Sequence, residues 1–166
     1  TNRKAKLGAL VSKPHMEKVL SYVELAKEEG GTVLTGGERV HLDAPYDQGY
    51  YVRPTVIEGL DYNCRTNQEE IFGPVVSVIP FEDENLVLEE ANNSKYGLSA
   101  VLWTQNLTRA HHFAHELDTG IVWVNTWLMR DLRTPFGGAK QSGLGREGGF
   151  EALHFFTEEK TICIRI

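Results

Sequence analysis

The sequence has few features of a secreted, membrane-spanning or nucleic-acid-binding protein. It contains two cysteines, Cys64 and Cys163, which make no disulfide framework and predict free thiols in a reducing cytoplasm. Its apolar runs fall short of the roughly 20 residues of a transmembrane helix. No basic-then-apolar leader opens the chain. The net charge of −6 argues against a nucleic-acid partner, because phosphate binding requires a clustered basic face.

The composition is that of a chain able to form a packed core. Hydrophobic residues make up 41% and charged residues 24% of the sequence, as in globular proteins. The length of 166 residues predicts one domain or slightly more. The chain starts at Thr1 rather than at methionine, which is consistent with a fragment or a processed product.

The first half of the chain predicts one strong helix followed by short strands. Residues 12–30 have apolar side chains at helical spacing, with Ser12 as the N-cap and Gly30 at the end. A short strand follows at residues 32–34. Residues 51–58 favour β-structure, but a proline at position 54 predicts an edge strand or a broken one. Residues 61–70 are polar and predict a loop.

The middle of the chain alternates strands with helices. Strands are predicted at residues 75–79, 99–103 and 120–124, and helices at residues 83–94 and 107–117. The apolar run at residues 75–79 is typical of a strand covered on both faces. Short helical crossovers connect parallel neighbours, so these elements predict an α/β, parallel-sheet layered domain.

A glycine-rich loop follows the last of these strands. Residues 143–148 fit the pattern G-x-G-x-x-G, but a dinucleotide fingerprint comes directly after a strand and needs a further βα unit. The Walker pattern fails because Leu144-Gly145 stands where Lys-Ser/Thr is required. The loop is therefore interpreted as a connection or a substrate loop rather than a phosphate cradle.

Histidine and cysteine give weak signals. His111 and His115 have a spacing that suits a metal, but no third ligand is evident, so a solvated helix face is favoured and no metal site is predicted. Cys64 is a weak candidate nucleophile, because a cationic neighbour such as Arg65 lowers a thiol pKa. No catalytic base accompanies it.

Carboxylates and arginines give stronger signals. Glu69 and Glu70 precede a Gly-Pro turn before the strand at 75–79. They predict either a solvated loop or, if one of them points inward, a carboxylate that accepts hydrogen bonds from a ribose diol. Arg130 and Arg133 follow the carboxyl end of the strand at 120–124, the edge at which open α/β sheets bind ligands. A guanidinium grips a carboxylate with two parallel hydrogen bonds, whereas pairing with nearby acids is the alternative.

The final ten residues, 157–166, alternate apolar and polar side chains and predict an exposed strand. Such a strand needs a partner edge, which either another subunit or its own domain can provide.

Six motifs together resemble the aldehyde dehydrogenase superfamily. In chain order they are GALVSKPHMEKVLSYV, GYYVRPTVIEGL, NQEEIFGPVVSVIPF, ANNSKYGLSAVLWTQNLTRA, GIVWVNTW and TPFGGAKQSGLGREGG. The resemblance runs almost end to end and corresponds to the C-terminal third of such an enzyme. It implies residues 1–149 as the end of the catalytic domain and residues 150–166 as an oligomerisation arm.

The resemblance implies a mechanism whose central residue is not in this segment. In the family a cysteine thiolate attacks the aldehyde, hydride passes to NAD, and a glutamate-activated water releases the acid. The family nucleophile lies in a Gly-Gln-x-Cys context, which neither cysteine matches. The missing N-terminal part is therefore an implied partner, with a homodimer or homotetramer as the assembly.

The resemblance also assigns cofactor and substrate positions. Glu70 matches the glutamate that holds the nicotinamide ribose, and Phe72 matches the aromatic residue beside it. Phe136 matches a substrate-pocket aromatic residue, and Leu128 and Arg130 fall on the loop that lines the substrate tunnel. The stretch NTWLMRDLRTPFGG resembles the branch that acts on 2-aminomuconic or 2-hydroxymuconic semialdehyde, in which an arginine binds the substrate carboxylate. A betaine-type aldehyde and a non-catalytic oligomerisation module remain alternatives.

Overall fold

The computed structural model describes residues 5–166, so the first four residues of the predicted 1–149 region lie outside the description. The chain forms two compact units, Thr1–Phe81 and Glu82–Ile166. Both mix helices and strands, and the α/β class is confirmed. Among the residues from 5 onward, no helix combines the length and apolar character that crossing a bilayer would need.

The first unit is built around its opening helix. Ser12 caps this helix by accepting a hydrogen bond from the backbone N–H of His15, and the helix buries one apolar stripe, as its sequence predicts. The fully buried Val19 and Val23 lie on that stripe. The elements of the unit are α1 (Lys13–Glu28), β1 (Thr32–Thr35), β2 (Arg39–Val40), β3 (Tyr51–Val52), β4 (Thr55–Glu58), α2 (Arg65–Gln68) and β5 (Val75–Val78).

Pro54 breaks the β-rich segment, as predicted, but the resumed strand is not an edge. It separates β3 from β4, and β4 lies in the middle of a three-stranded sheet of order β1-β4-β5. Of the two predicted alternatives, the broken strand is therefore the one that holds, because the ladder restarts at Thr55, whose N–H donates to the Pro74 carbonyl. The buried Ile57 fixes this central position. The short helix α2 also replaces part of the loop predicted at residues 61–70.

The second unit follows the predicted alternation of helices and strands. Asp83 and Asn106 cap its two main helices with their side-chain oxygens. The described elements are α3 (Glu84–Asn92), β6 (Tyr96–Gly97), β7 (Ser99–Leu102), α4 (Leu107–Glu116), β8 (Ile121–Val124), β9 (Ala139–Lys140) and α5 (Gly149–Phe156).

The predicted three-stranded parallel arrangement is correct for two of its strands. β7 and β8 pair in parallel, with Ser99 opposite Ile121, whereas β5 pairs in parallel with β4 in the sheet of the first unit. The prediction that β5 is covered on both faces is wrong for this chain, because Val76 and Val78 are about half exposed. The apolar run of β5 is typical of a strand buried on both faces, but residues 5–166 leave one face partly exposed.

The C-terminal segment forms no strand within the described part of the chain. Residues 157–166 are exposed and pair with no strand among residues 5–156. The alternative that they form an edge strand of their own domain is thus not realised. Pairing with another subunit stays a prediction. The oligomerisation arm at residues 150–166, which begins with most of α5, also stays a prediction.

Candidate functional site

The first candidate region is a turn between α2 and β5, residues 69–73, here called the acidic turn. Glu69 has an extended backbone (φ −109°, ψ 149°), and Phe72 adopts a left-handed φ of +59°. A non-glycine residue in this region is uncommon and is held there by its surroundings. The Phe72 side chain is 75% exposed, so it is presented to solvent rather than packed in the core.

The two acids of the turn have different environments. Tyr22 donates to Glu69 Oε2 at 2.5 Å, and Arg65 donates to both carboxylate oxygens of Glu69 at 2.9 and 3.1 Å. The hydrogen bond from Tyr22 to Glu69 raises the pKa of the Tyr22 phenol, and partial burial raises it further. The Glu70 carboxylate is exposed and has no hydrogen bond or ion pair within residues 5–166. Of the two acids, Glu70 is therefore the one available to a ligand.

Helix α1 also contacts the backbone of the acidic turn. Lys18 Nζ donates to the Glu70 carbonyl at 2.7 Å. His15 Nε2 lies 2.7 Å from the Phe72 carbonyl oxygen, a distance at which a ring N–H donates, and its ring meets the Phe72 ring edge-on at 6.1 Å. Sequence analysis missed these residues, although their spacing with Tyr22 marks a second, polar stripe on the helix.

A cleft of about 360 Å³ lies beside the acidic turn. Glu69, Phe72 and Gly73 contribute to its wall from the turn, and further wall residues come from α2 and β5. Glu70 is not among the wall residues, so its side chain is placed outside the cleft rather than within it.

Cys64 is not an activated thiol. Burial, as the largest effect, raises its pKa, and the hydrogen bond to the Glu29 carboxylate raises it further. The neighbouring guanidinium of Arg65 is engaged with Glu69. The expectation that Arg65 lowers this pKa is therefore wrong. Glu29 caps α2 by accepting hydrogen bonds from Arg65 N, Thr66 N and Thr66 Oγ1. Desolvation raises the pKa of the Glu29 carboxyl, but these hydrogen bonds outweigh it, so the pKa is lowered overall.

The second candidate region is the loop after β8, residues 125–136, here called the arginine loop. Its start is fixed by Asn125, whose side-chain amide accepts from Thr104 N at 2.8 Å and donates to Thr104 O at 2.7 Å. The buried Trp123 donates its indole N–H to the Met129 carbonyl at 2.9 Å. Between these anchors most apolar side chains are exposed, including that of Leu128 at 63%, which has a φ of +57°.

The Arg130 guanidinium and the Phe136 ring are in contact, and their assignment to a substrate site stays a prediction. The Arg130 guanidinium lies 4.0 Å from the centroid of the Phe136 ring, and its Nη2 lies 3.1 Å from Glu147 Oε1. The Arg130 side chain is 25% exposed and that of Glu147 67% exposed. Stacking on a ring and pairing with one oxygen hold the guanidinium while leaving other N–H groups to donate.

Arg133 is engaged in a local ion pair. Its guanidinium donates to both oxygens of Asp131, at 2.5 to 3.1 Å, and its side chain is 88% exposed. Pairing with nearby acids was the predicted alternative to ligand binding for both arginines. Arg133 is engaged in such a pair with both oxygens of Asp131, whereas Arg130 uses only part of its guanidinium. Sequence analysis missed Glu147 because its pairing depends on a backbone bridge.

The glycine-rich residues 143–148 contribute to that bridge. The N–H groups of Phe136 and Glu147 donate to each other's carbonyls at 2.8 and 2.7 Å, which brings Glu147 beside the arginine loop. Gly145 and Gly148 have φ of +69° and +87°, conformations that suit glycine. This arrangement is that of a turn returning the chain toward α5. The interpretation of the segment as a turn rather than a phosphate cradle stays a prediction.

The helix that carries His111, His112 and His115 exposes all three rings. No group of three or more metal-binding side chains occurs in the part of the chain that the structure describes.

An α/β chain with an exposed carboxylate beside a cleft and a ring-stacked arginine after a parallel strand has the features of a ligand-binding part of an enzyme. The sequence matches the aldehyde dehydrogenase family over residues 1–162. It is 51% identical over 160 residues to a 2-aminomuconic 6-semialdehyde dehydrogenase of Pseudomonas sp., covering 96% of this chain and 33% of the relative. It is 50% identical to a 2-hydroxymuconic semialdehyde dehydrogenase of Pseudomonas sp. strain CF600, covering 98% and 33%.

Solved structures of aldehyde dehydrogenases also resemble this chain. The NAD⁺ complex of an aldehyde dehydrogenase from Bacillus cereus superimposes with a TM-score of 0.87 at 47% identity, covering 95% of this chain and 31% of that one. The chain belongs to the aldehyde dehydrogenase family. It spans about a third of the length of the curated relatives it matches.

Proposed function

We propose that this chain is the C-terminal part of an NAD-dependent aldehyde dehydrogenase that oxidises a carboxylate-bearing semialdehyde, of the 2-aminomuconic or 2-hydroxymuconic type. The observation that carries the substrate assignment is Arg130, stacked on Phe136 with N–H groups left to donate. The muconic relatives support the same substrate class.

The acidic turn fits a role at the ribose next to the nicotinamide. Glu70 offers two carboxylate oxygens without internal partners among residues 5–166, and a ribose diol presents two hydroxyl donors. Phe72, exposed beside it, provides an apolar face for packing on a ring. NAD, when bound, would supply the hydride acceptor for this oxidation. Glu70 and Phe72 would orient the cofactor and exclude water on one side of it.

The nucleophile is proposed to come from outside this segment. Cys64 is protonated at neutral pH because burial raises its pKa, and it is hydrogen-bonded to Glu29. In the complete enzyme a cysteine thiolate would attack the aldehyde to form a thiohemiacetal, and loss of hydride would give a thioester that water hydrolyses. The residues of this chain would bind and orient the two reactants.

The proposed partners follow from these roles. They are a small aldehyde, the preceding part of the same enzyme, and further subunits in a homodimer or homotetramer paired through residues 157–166. Cys64 and Cys163 are both free thiols, which supports the predicted cytoplasmic location.

The substrate assignment is tested by Arg130→Ala in the full-length enzyme. Losing a charge-assisted pair of about 1.5–3 kcal/mol lowers kcat/KM for a muconic semialdehyde by roughly 10- to 150-fold, mainly through KM. A neutral aldehyde of similar size should change less than about 2-fold. The matched control is Arg133→Ala, which removes an exposed pair in the same loop and should leave both values unchanged. An unchanged KM in Arg130→Ala would exclude the assignment.

The salt bridge from Arg130 to Glu147 favours a second candidate, a neutral or betaine-type aldehyde, with Arg130 serving only the loop. A panel of carboxylate-bearing, neutral and cationic aldehydes separates the two. The first proposal requires the carboxylate-bearing aldehydes to have the highest kcat/KM and to lose that preference in Arg130→Ala.

A further inference from the structure

One face of α1 contacts the acidic turn at three successive points. His15, Lys18 and Tyr22 follow one another at helical spacings of three and four residues, which aligns their side chains on the same face of the helix. They reach the Phe72 carbonyl, the Glu70 carbonyl and the Glu69 carboxylate, respectively. Later residues of α1 therefore contact earlier residues of the acidic turn.

The contact with Glu69 differs from the other two in its acceptor, which is a side-chain carboxylate rather than a backbone carbonyl. Tyr22 and Arg65 together use both carboxylate oxygens of Glu69, with donor distances of 2.5 to 3.1 Å. Hydrogen bonds to a charged acceptor are roughly twice as strong as neutral ones. Arg65 begins α2, whose N-terminal amides are in turn capped by Glu29 just beyond the end of α1. Glu69 is therefore held by side chains from two helices, Tyr22 of α1 and Arg65 of α2.

The direction of Glu70 depends on that of Glu69. Because Glu69 has an extended backbone, consecutive side chains at this point leave the chain on opposite sides. With the Glu69 carboxylate held against α1, the Glu70 carboxylate is directed outward, where it is exposed. Release of Glu69 would therefore remove a restraint on the direction of Glu70.

We infer that Tyr22 and Glu69 are positioning residues for the cofactor: their hydrogen bond fixes the acidic turn so that Glu70 and Phe72 face the nicotinamide ribose. This inference rests on the proposed role of Glu70. The neighbouring acids therefore have separate tasks, Glu69 as the internal anchor and Glu70 as the ligand-facing group.

The test is a double-mutant cycle in the full-length enzyme, with the Kd for NAD as the main measurement. Tyr22→Phe removes only the hydroxyl and should raise the Kd by about 3- to 10-fold, since one of the two anchors of Glu69 is lost. In a Glu70→Gln background the same change should have almost no further effect, because a positioning residue acts through the residue it positions. With NAD saturating, KM for the aldehyde should stay constant.

The matched control is Tyr46→Phe, which removes the hydroxyl of an exposed tyrosine of the first unit, a hydroxyl that has no hydrogen bond to residues 5–166. It should leave the Kd for NAD unchanged. Glu69→Gln is the second variant and decides the question if Tyr22→Phe does not fold, because it keeps the shape of the anchor and removes its charge. It should raise the Kd in the same way.

Three results would overturn the inference. The first is a Kd within 2-fold of the parent in both Tyr22→Phe and Glu69→Gln while Glu70→Gln weakens binding, which leaves the proposed function standing. The second is an additive effect in the Glu70→Gln background, which indicates a general loss of structure. The third is unchanged binding in Glu70→Gln itself, in which case the assigned role of Glu70 fails as well.

Discussion

The acidic turn and the arginine loop are both short connections next to parallel strands, yet they are held by different means. Distant side chains hold the acidic turn: Tyr22 lies 47 positions before its partner Glu69, and Lys18 lies 52 positions before Glu70. The arginine loop is held over shorter separations: Arg133 pairs with Asp131, two positions away, and Arg130 with Glu147, 17 positions away. Long-range contacts fix a conformation more firmly, because many parts of the fold must shift to break them.

The difference suggests how one scaffold combines a constant and a variable task. If the acidic turn faces the cofactor as proposed, its contacts with α1 keep its geometry when the sequence around the substrate changes. A loop fixed by local pairs and by two anchors, Trp123 and Asn125, tolerates exchange of its exposed residues. On this view Arg130 is a replaceable specificity residue, whereas Glu70 belongs to the shared frame.

The largest effect is expected from Gly73→Ala, which disturbs the acidic turn directly. A Cβ at this position would lie 2.6 Å from Cγ2 of Val19, a fully buried side chain with no room to move. The overlap should cost about 1–3 kcal/mol, lower Tm and raise the Kd for NAD. The matched change in the second unit is Gly143→Ala, whose Cβ would meet no atom closer than 3.5 Å. Equal losses of Tm in the two variants, measured by thermal melts, would contradict the comparison.

A smaller effect is expected from Glu29→Gln, which weakens the cap of α2 and thus the support of Arg65. The loss should be about 1 kcal/mol of stability at neutral pH. Because the folded state lowers the pKa of Glu29 below its ordinary value of 4.5, its contribution is complete above that pH and is lost as the pH falls through the folded pKa. Melts of parent and variant should therefore converge in acid. A difference that persists at the lowest pH would rule out this explanation.

In the arginine loop, Glu147→Gln should have a modest effect in the opposite direction. The amide oxygen can still accept from Arg130, so the guanidinium keeps its place over Phe136, while a negative charge near the substrate carboxylate disappears. Glu147→Gln removes the repulsion between the Glu147 carboxylate and the substrate carboxylate, which is worth roughly 0.2–1 kcal/mol at an exposed site. The KM for a muconic semialdehyde should therefore fall by about 1.5- to 5-fold. Steady-state kinetics check this, and a raised KM would show that Glu147 is needed to position Arg130.

The smallest effect on activity is expected at the two cysteines. Cys64, whose pKa is raised by burial, should react with iodoacetamide far more slowly at pH 7 than the exposed Cys163. Replacing Cys64 by Ala should leave kcat unchanged in the full-length enzyme. Mass spectrometry of the labelled peptides measures the order of reaction, and faster labelling of Cys64 would reopen its candidacy as a nucleophile.

Local pattern predicted the helices well and the strand pairing only in part. Ser12 caps its helix as predicted, because capping depends on residues a few positions apart. The pairing of β5 with β4 was not predictable from the alternation of elements, because nothing local distinguishes a partner that precedes it from one that follows. Cys64 illustrates the same limit for chemistry: its charged neighbour is adjacent in sequence, but the guanidinium is directed to Glu69.

The sequence by itself determined the α/β class, the family and the residues proposed to face cofactor and substrate, because periodicity, capping and motif are local properties of the chain. Only the tertiary structure decided which internal partners hold these residues: Glu69 bonds to Tyr22 and Arg130 to Glu147, whereas the Glu70 carboxylate has no partner among residues 5–166. These choices depend on partners such as Tyr22 and Glu147, which come from distant positions and become neighbours only when the chain folds.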